Sequence, residues 1–360
     1  MEYLCGNFIA LKPTIHPIDK SRLSTVDFNN LPFGKVFSDH MLVADYEDGQ
    51  WKTVRIVPYG PIELMPAISA LHYGQAIFEG MKAYKNAEGE IFLFRSQENF
   101  KRYNLSSDRM CMPAIPKEIF IDGLKELLKV DSDWIPSLEN TSLYIRPFGF
   151  ATDDYVGIRP SDSYKFIIFT CPVGPYYNQP LHVKMSEDFT RAFPNGTGEA
   201  KCAGNYAAAM LPQKLAKEQG FDQLIWLDGK TMSKIEESGT MNLFFVIDGT
   251  LITPQTTGTI LHGVTRDSVI QLAKHHGWKV EVRDIYAQEI VDAHFAGLLE
   301  EAFGAGTAAT IAPIQSISYQ GKRMELPLVD DAKVAPRLFS MMNDLKLGLA
   351  PDPFGWLEKI

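Results

Sequence analysis

Residues 172–180 read PVGPYYNQP. Three prolines and a glycine leave this stretch without a usable period, and it separates two segments that read as strands, so it marks an interdomain connector. The connector is taken as 174–180. A smaller N-terminal domain is expected at 1–173 and a larger one at 181–360. Length supports the division, since 360 residues, 45% of them apolar, exceed what one hydrophobic core usually holds.

Upstream of the connector, 41–46 (MLVADY), 51–57 (WKTVRIV), 91–95 (IFLFR), 142–146 (SLYIR) and 165–171 (KFIIFTC) are short and rich in β-branched and aromatic residues. They predict strands. A helix is predicted from Pro116 to Val130, with Phe120, Leu124, Leu127 and Leu128 on one face. Downstream, strands at 181–186, 223–228, 243–247, 250–253 and 279–284 alternate with amphipathic helices at about 205–219, 264–276 and 287–302. Asp248-Gly249 reads as a hairpin turn, and Pro212 predicts a kink or a late start in the first of these helices. The fold class is therefore α+β, with two mixed domains.

A net charge of −9 without charge runs argues against nucleic acid and anionic membranes as partners. Cys5, Cys111, Cys171 and Cys202 lie far apart, so neither a disulfide framework nor a metal site is expected. The start of the chain has no basic segment followed by an apolar run, and no stretch reaches membrane-spanning length. A cytosolic enzyme with reduced thiols is the expectation.

The chemistry concentrates in four stretches. In GTGEAKCAGNY (196–206), Lys201 sits among small residues and Tyr206 follows five positions on. Small neighbours admit a flat ring, and desolvation makes an amine nucleophilic; a lysine on a flexible glycine loop is the plainer alternative. In IEESGTMN (235–242) two adjacent glutamates precede a glycine turn. A carboxylate facing a pyridine nitrogen would keep it protonated, but spacing alone does not choose between Glu236 and Glu237. GVTRD (263–267) and GAGTA (304–308) place glycine beside threonine, which suits an anion at a helix start or a turn. GAGTAA also matches a dinucleotide fingerprint, but a helix-like segment precedes it and a β-like one follows. That inverted context argues against a nicotinamide- or flavin-dependent oxidoreductase.

Together with FEGMKAY (78–84), LFR (93–95), SLYIRP (142–147), CPVG (171–174), QLIWLDG (223–229) and LHGVTRDS (261–268), these strings resemble the branched-chain aminotransferases of the fold-type IV pyridoxal-phosphate enzymes. The resemblance runs from about residue 30 to the C-terminus and follows the longer, dimeric branch. It implies a homodimer using pyridoxal 5′-phosphate carried on Lys201. It further implies that Tyr206 bonds the cofactor's phenolic oxygen and that Glu237 pairs with its pyridine nitrogen. Arg95, the main chain at Val264 and Thr265, and Thr307 are implied as phosphate contacts, with Arg191 close by.

The implied substrates are leucine, isoleucine or valine together with glutamate, and their 2-oxo acids, in a ping-pong cycle. Tyr73, Phe78 and Tyr144 are implied as the aromatic wall, Arg146 with Tyr144 as the anchor for glutamate's distal carboxylate, and the main chain near Thr240 and Ala308 as the α-carboxylate site. D-amino-acid aminotransferases and aminodeoxychorismate lyases are the close rivals, and a non-catalytic binding protein the distant one. Ala309 and Ala312 stand where mammalian relatives carry a CxxC pair, so thiol regulation there is excluded.

Overall fold

The computed structural model describes residues 12–328, 330 and 333–360, which leaves Cys5 outside the described residues. The chain divides into two compact units, one up to Gly174 together with Phe354–Ile360 and one from Pro175 to Pro353. Sequence alone places the C-terminal segment with the second unit. It joins the first because Leu357–Lys359 pairs antiparallel with Ile91–Phe94.

The first unit is built on a ten-stranded sheet whose centre is the antiparallel pair Ser142–Ala151 and Tyr164–Val173. Both strands run longer than their sequence patterns suggest, in register from Ser142 opposite Val173 to Ala151 opposite Tyr164. Near-continuous burial explains the length, because a strand covered on both faces loses the alternation that marks its ends. The helix expected at 116–130 begins with a wide π turn at Glu118–Asp122 and continues as Gly123–Val130. Glycine at 123 admits Leu42, whose Cδ1 lies 2.6 Å from where a Cβ would stand. Phe120, Leu124, Leu127 and Leu128 are all fully buried, as their common face requires.

In the second unit the nine-stranded sheet runs Ile235–Ser238, Gln223–Leu227, Leu181–Met185, Thr310–Tyr319, Leu299–Gly306, Met241–Ile247, and onward to Thr250–Pro254 and Val280–Arg283. Ile235–Ser238 pairs with Met241–Ile247 as well, so the strands close into a ring. Val183, Ile225, Leu227, Leu243, Phe245, Ile290, Ile314 and Ile317 form its core. Asp248 and Gly249 both have positive φ, the geometry of a two-residue hairpin turn.

Two helices differ from the sequence reading. The one expected at 205–219 is two, Ala203–Ala207 and Met210–Glu218, and Pro212 lies in the first turn of the second, where its missing N–H costs nothing. The one expected at 287–302 stops at Phe295. Gly297, at φ 72°, ends it, and 299–306 becomes a strand between two neighbours that satisfy its backbone. Among the described residues no helix is long and apolar enough to cross a membrane.

Candidate active site

The second unit gathers its chemically notable side chains where the ring of strands closes. Ile225 pairs with Ser238 and Leu227 with Ile235, so Glu236 and Glu237 together face the single residue Trp226. This is a bulge, which re-aims side chains that would otherwise alternate across the sheet. Both carboxylates then engage one segment, residues 259–261. The Thr259 hydroxyl donates to Glu236 Oε1 at 2.5 Å, and the Leu261 amide donates to Glu237 Oε1.

Asn242, the cross-strand partner of Glu237, grips the same segment from the other side. Its amide donates to the Leu261 carbonyl at 3.0 Å. Its Oδ1 lies 1.9 Å from where a Cβ on residue 263 would stand, which is why that position is glycine. The grip presents the start of helix Val264–His275, whose first turn holds the buried Thr265 and whose N-cap, Gly263, makes no side-chain cap hydrogen bond.

Arg191 ties this closure to the lysine loop. Its Nη2 lies 3.2 Å from Glu237 Oε1 and donates to the carbonyls of Gly198, at 2.8 Å, and Thr259. Gly198 has no room for a Cβ, which would stand 2.7 Å from Thr259 Cα and from the Ala192 side chain. The small residues around the lysine thus serve close backbone packing. Asn205 fixes the rest of the loop, donating to the Thr197 and Ala200 carbonyls at 2.7 and 2.8 Å and accepting from the Thr197 hydroxyl. Lys201 emerges half-buried, its Nζ donating to the Tyr206 hydroxyl at 2.9 Å.

Electrostatics mark Glu236. Burial raises the Glu236 carboxyl above the ordinary range against the opposing Thr259 hydroxyl and Arg191 charge. Its Oε2 is buried with no hydrogen-bond partner among the described residues, and so are Arg191 Nε and Ser238 Oγ. Thr307 and Ala308 lie in the turn between Leu299–Gly306 and Thr310–Tyr319, and exposed Thr240 lies in the turn after Ile235–Ser238.

In the first unit, Arg146 donates to the Tyr144 hydroxyl at 2.9 Å and its guanidinium lies 4.6 Å from the centre of the Phe78 ring. Phe33 packs edge-on against Tyr144 at 5.0 Å. Lys82 pairs across the sheet with Tyr144, and burial pulls its amine down to about 8. Tyr73 is 43% exposed at the end of helix Ser69–Tyr73. Arg95, left-handed at φ 53°, caps helix Ser96–Arg109 and stacks on Trp356 at 4.8 Å. Asn205, Asn242, Thr259 and Lys82 escaped the sequence reading, although three of them lie inside or beside the quoted strings. Polar residues held between small or apolar neighbours were the available signal.

The sequence profile of the family described as amino-transferase class IV matches residues 76–317. The chain belongs to this family. It is 45% identical over 338 residues to branched-chain-amino-acid aminotransferase 2 of Bacillus subtilis, covering 93% of each protein. It is 40% identical over 340 residues to the branched-chain-amino-acid aminotransferase of Mycolicibacterium smegmatis, covering 92% of each. Among solved structures, the Escherichia coli branched-chain amino acid aminotransferase superposes with a TM-score of 0.73 at 28% identity, over 89% of this chain and 98% of that one. A T.th. branched-chain amino acid aminotransferase complexed with N-(5′-phosphopyridoxyl)-L-glutamate gives 0.71 at 26% identity, over 88% and 97%. The architecture is thus the α+β fold-type IV arrangement of class IV aminotransferases.

Proposed function

We propose that this class IV aminotransferase exchanges the amino group between leucine, isoleucine or valine and 2-oxoglutarate, with pyridoxal 5′-phosphate carried on Lys201. The observation that carries the reading is a half-buried amine 2.9 Å from a phenol, on a loop that Arg191 ties to a buried carboxylate. The residues fit the cofactor. Glu237 suits a pyridinium nitrogen, Tyr206 a phenolic oxygen, and Arg95, the main chain at Val264 and Thr265, and Thr307 a phosphate. Arg191 Nε and Glu236 Oε2 remain as buried polar atoms with bonding capacity.

When bound, the group supplies an electron sink that acidifies the substrate's α-proton. The Lys201 amine would take the proton from the substrate's α-carbon as general base and hold it for return as general acid. Tyr206 orients the amine through its hydroxyl. Glu237 holds negative charge in place, with Arg191 and the Leu261 amide fixing the carboxylate. Phe78 and Tyr144 offer aromatic surface to an aliphatic side chain, Arg146 a two-point anchor to a distal carboxylate, and the main chain near Thr240 and Ala308 the α-carboxylate contacts.

A homodimer is part of this reading. Ile62, Leu64, Met65, Leu71 and Tyr73, and then Tyr155, Val156 and Ile158, leave large apolar side chains exposed. A cytosolic location agrees with the three described cysteines being free thiols. The test is an assay of leucine with 2-oxoglutarate, in which parallel double-reciprocal lines are expected from a ping-pong cycle. Transfer confined to D-amino acids, or none, would overturn the proposal.

A further inference from the structure

Between strands Ala76–Phe78 and Met81–Lys85, both paired with Ser142–Ala151, the chain passes through Glu79 and Gly80. Strand alternation puts Phe78, Gly80 and Lys82 on the face that carries Tyr144 and Arg146, and Glu79 on the opposite face. There Glu79 is completely buried against helix Ser96–Arg109. Arg102 grips it with two hydrogen bonds, Nε at 2.7 Å and Nη2 at 2.8 Å. Asn99, one turn earlier, donates at 2.8 Å, and the Gly80 amide donates at 3.1 Å. The Glu79 backbone N–H donates to the carbonyl of Pro147, the residue after Arg146, at 2.7 Å.

This corner touches every member of the anchor trio. Phe78 lies under the Arg146 guanidinium. A Cβ on Gly80 would stand 2.3 Å from the Tyr144 oxygen that accepts from Arg146. We propose that the Glu79–Arg102 pair is a positioning device, holding the Phe78–Gly80 corner so that Tyr144 and Arg146 keep the geometry that receives a substrate's distal carboxylate. Glu79 touches no substrate and acts through Gly80 and Phe78. The inference rests on the two-substrate reading above.

The test measures single-turnover half-reactions of the holoenzyme with leucine and with glutamate, for wild type, Glu79→Gln, Gly80→Ala and the double variant. Gly80→Ala keeps the amide that bonds Glu79 and crowds the Tyr144 hydroxyl directly, so it tests the corner. Arg102→Lys, which keeps the charge but not the two-point grip, tests the pair where Glu79→Gln folds poorly. Each single variant is expected to raise the half-saturating glutamate concentration about tenfold and that of leucine less than about threefold. The double variant is expected to fall short of the product of the two, since both act through one corner. Equal losses for both amino acids overturn the proposal, as does a lowered melting temperature with both half-reactions unchanged. A wild type that reacts with leucine but not glutamate overturns the two-substrate reading and this inference with it.

Discussion

Two arginine–glutamate pairs are buried to nearly the same depth, one in each unit, and they are satisfied in opposite ways. In the first unit four donors converge on Glu79, two from Arg102 and one each from Asn99 and Gly80. In the second, Arg191 approaches Glu237 with one nitrogen at 3.2 Å, spends that nitrogen on two carbonyls as well, and keeps its Nε without a hydrogen bond. Burial therefore does not tell how such a pair is used. Completeness of hydrogen bonding is where the two differ: a pair closed on its own partners fixes the backbone around it, whereas Arg191 Nε retains bonding capacity.

The comparison breaks first at the lysine. Lys201→Ala is expected to abolish transamination with the thermal transition intact; more than trace turnover in the assay would show that another amine carries the chemistry. Next, Glu237→Gln should lower the rate by about 10²-fold or more, with little loss of stability. Glu236→Gln is the control, and if that change proves the damaging one, the two carboxylates have exchanged roles. The closed pair should respond the other way. Arg102→Ala leaves a buried carboxylate uncompensated and should cost about 3–5 kcal/mol in urea unfolding, where a loss near zero would mean that the pair is dispensable.

Smaller effects sharpen the picture. Burial raises the Glu236 carboxyl in the folded protein, so its neutral form is the one that folding favours. Its contribution is complete below the ordinary glutamate range and fades as pH rises through that range to the raised value. Stability of wild type should therefore fall slightly over that interval relative to Glu236→Gln, and coincident pH profiles would contradict the assignment. The smallest effect concerns oxidation. Cys202 adjoins Lys201 in sequence but is only 1% exposed, so mild peroxide should leave activity nearly unchanged. Rapid inactivation that a thiol reverses would point to a different cysteine.

Much of this was legible in the chain. The hairpin at Asp248-Gly249 follows from the two residues that best tolerate positive φ, and the helix face of Phe120, Leu124 and Leu127 follows from its period. A helix is expected through 302 because FAGLLEEAF keeps an apolar rhythm past Gly297, but it ends early, and one of the two strands that claim the segment, Met241–Ile247, lies tens of residues upstream. Pro212 was ambiguous for a similar reason, since a first-turn proline and an interior one look alike until the helix start is known.

At the candidate site, residue type and local spacing marked Lys201 with Tyr206, the paired glutamates and the glycine-threonine turns, because reactive groups and backbone freedom are properties of short stretches. Their roles came only with the family resemblance. Spacing could not separate Glu236 from Glu237. Their placement is decided where a bulge opposite Trp226 turns both toward residues 259–261, and where Arg191 and Asn242 bind distant segments together. Those contacts join positions far apart in the chain, and their energetics depend on burial, which exists only once the strands have closed into a ring.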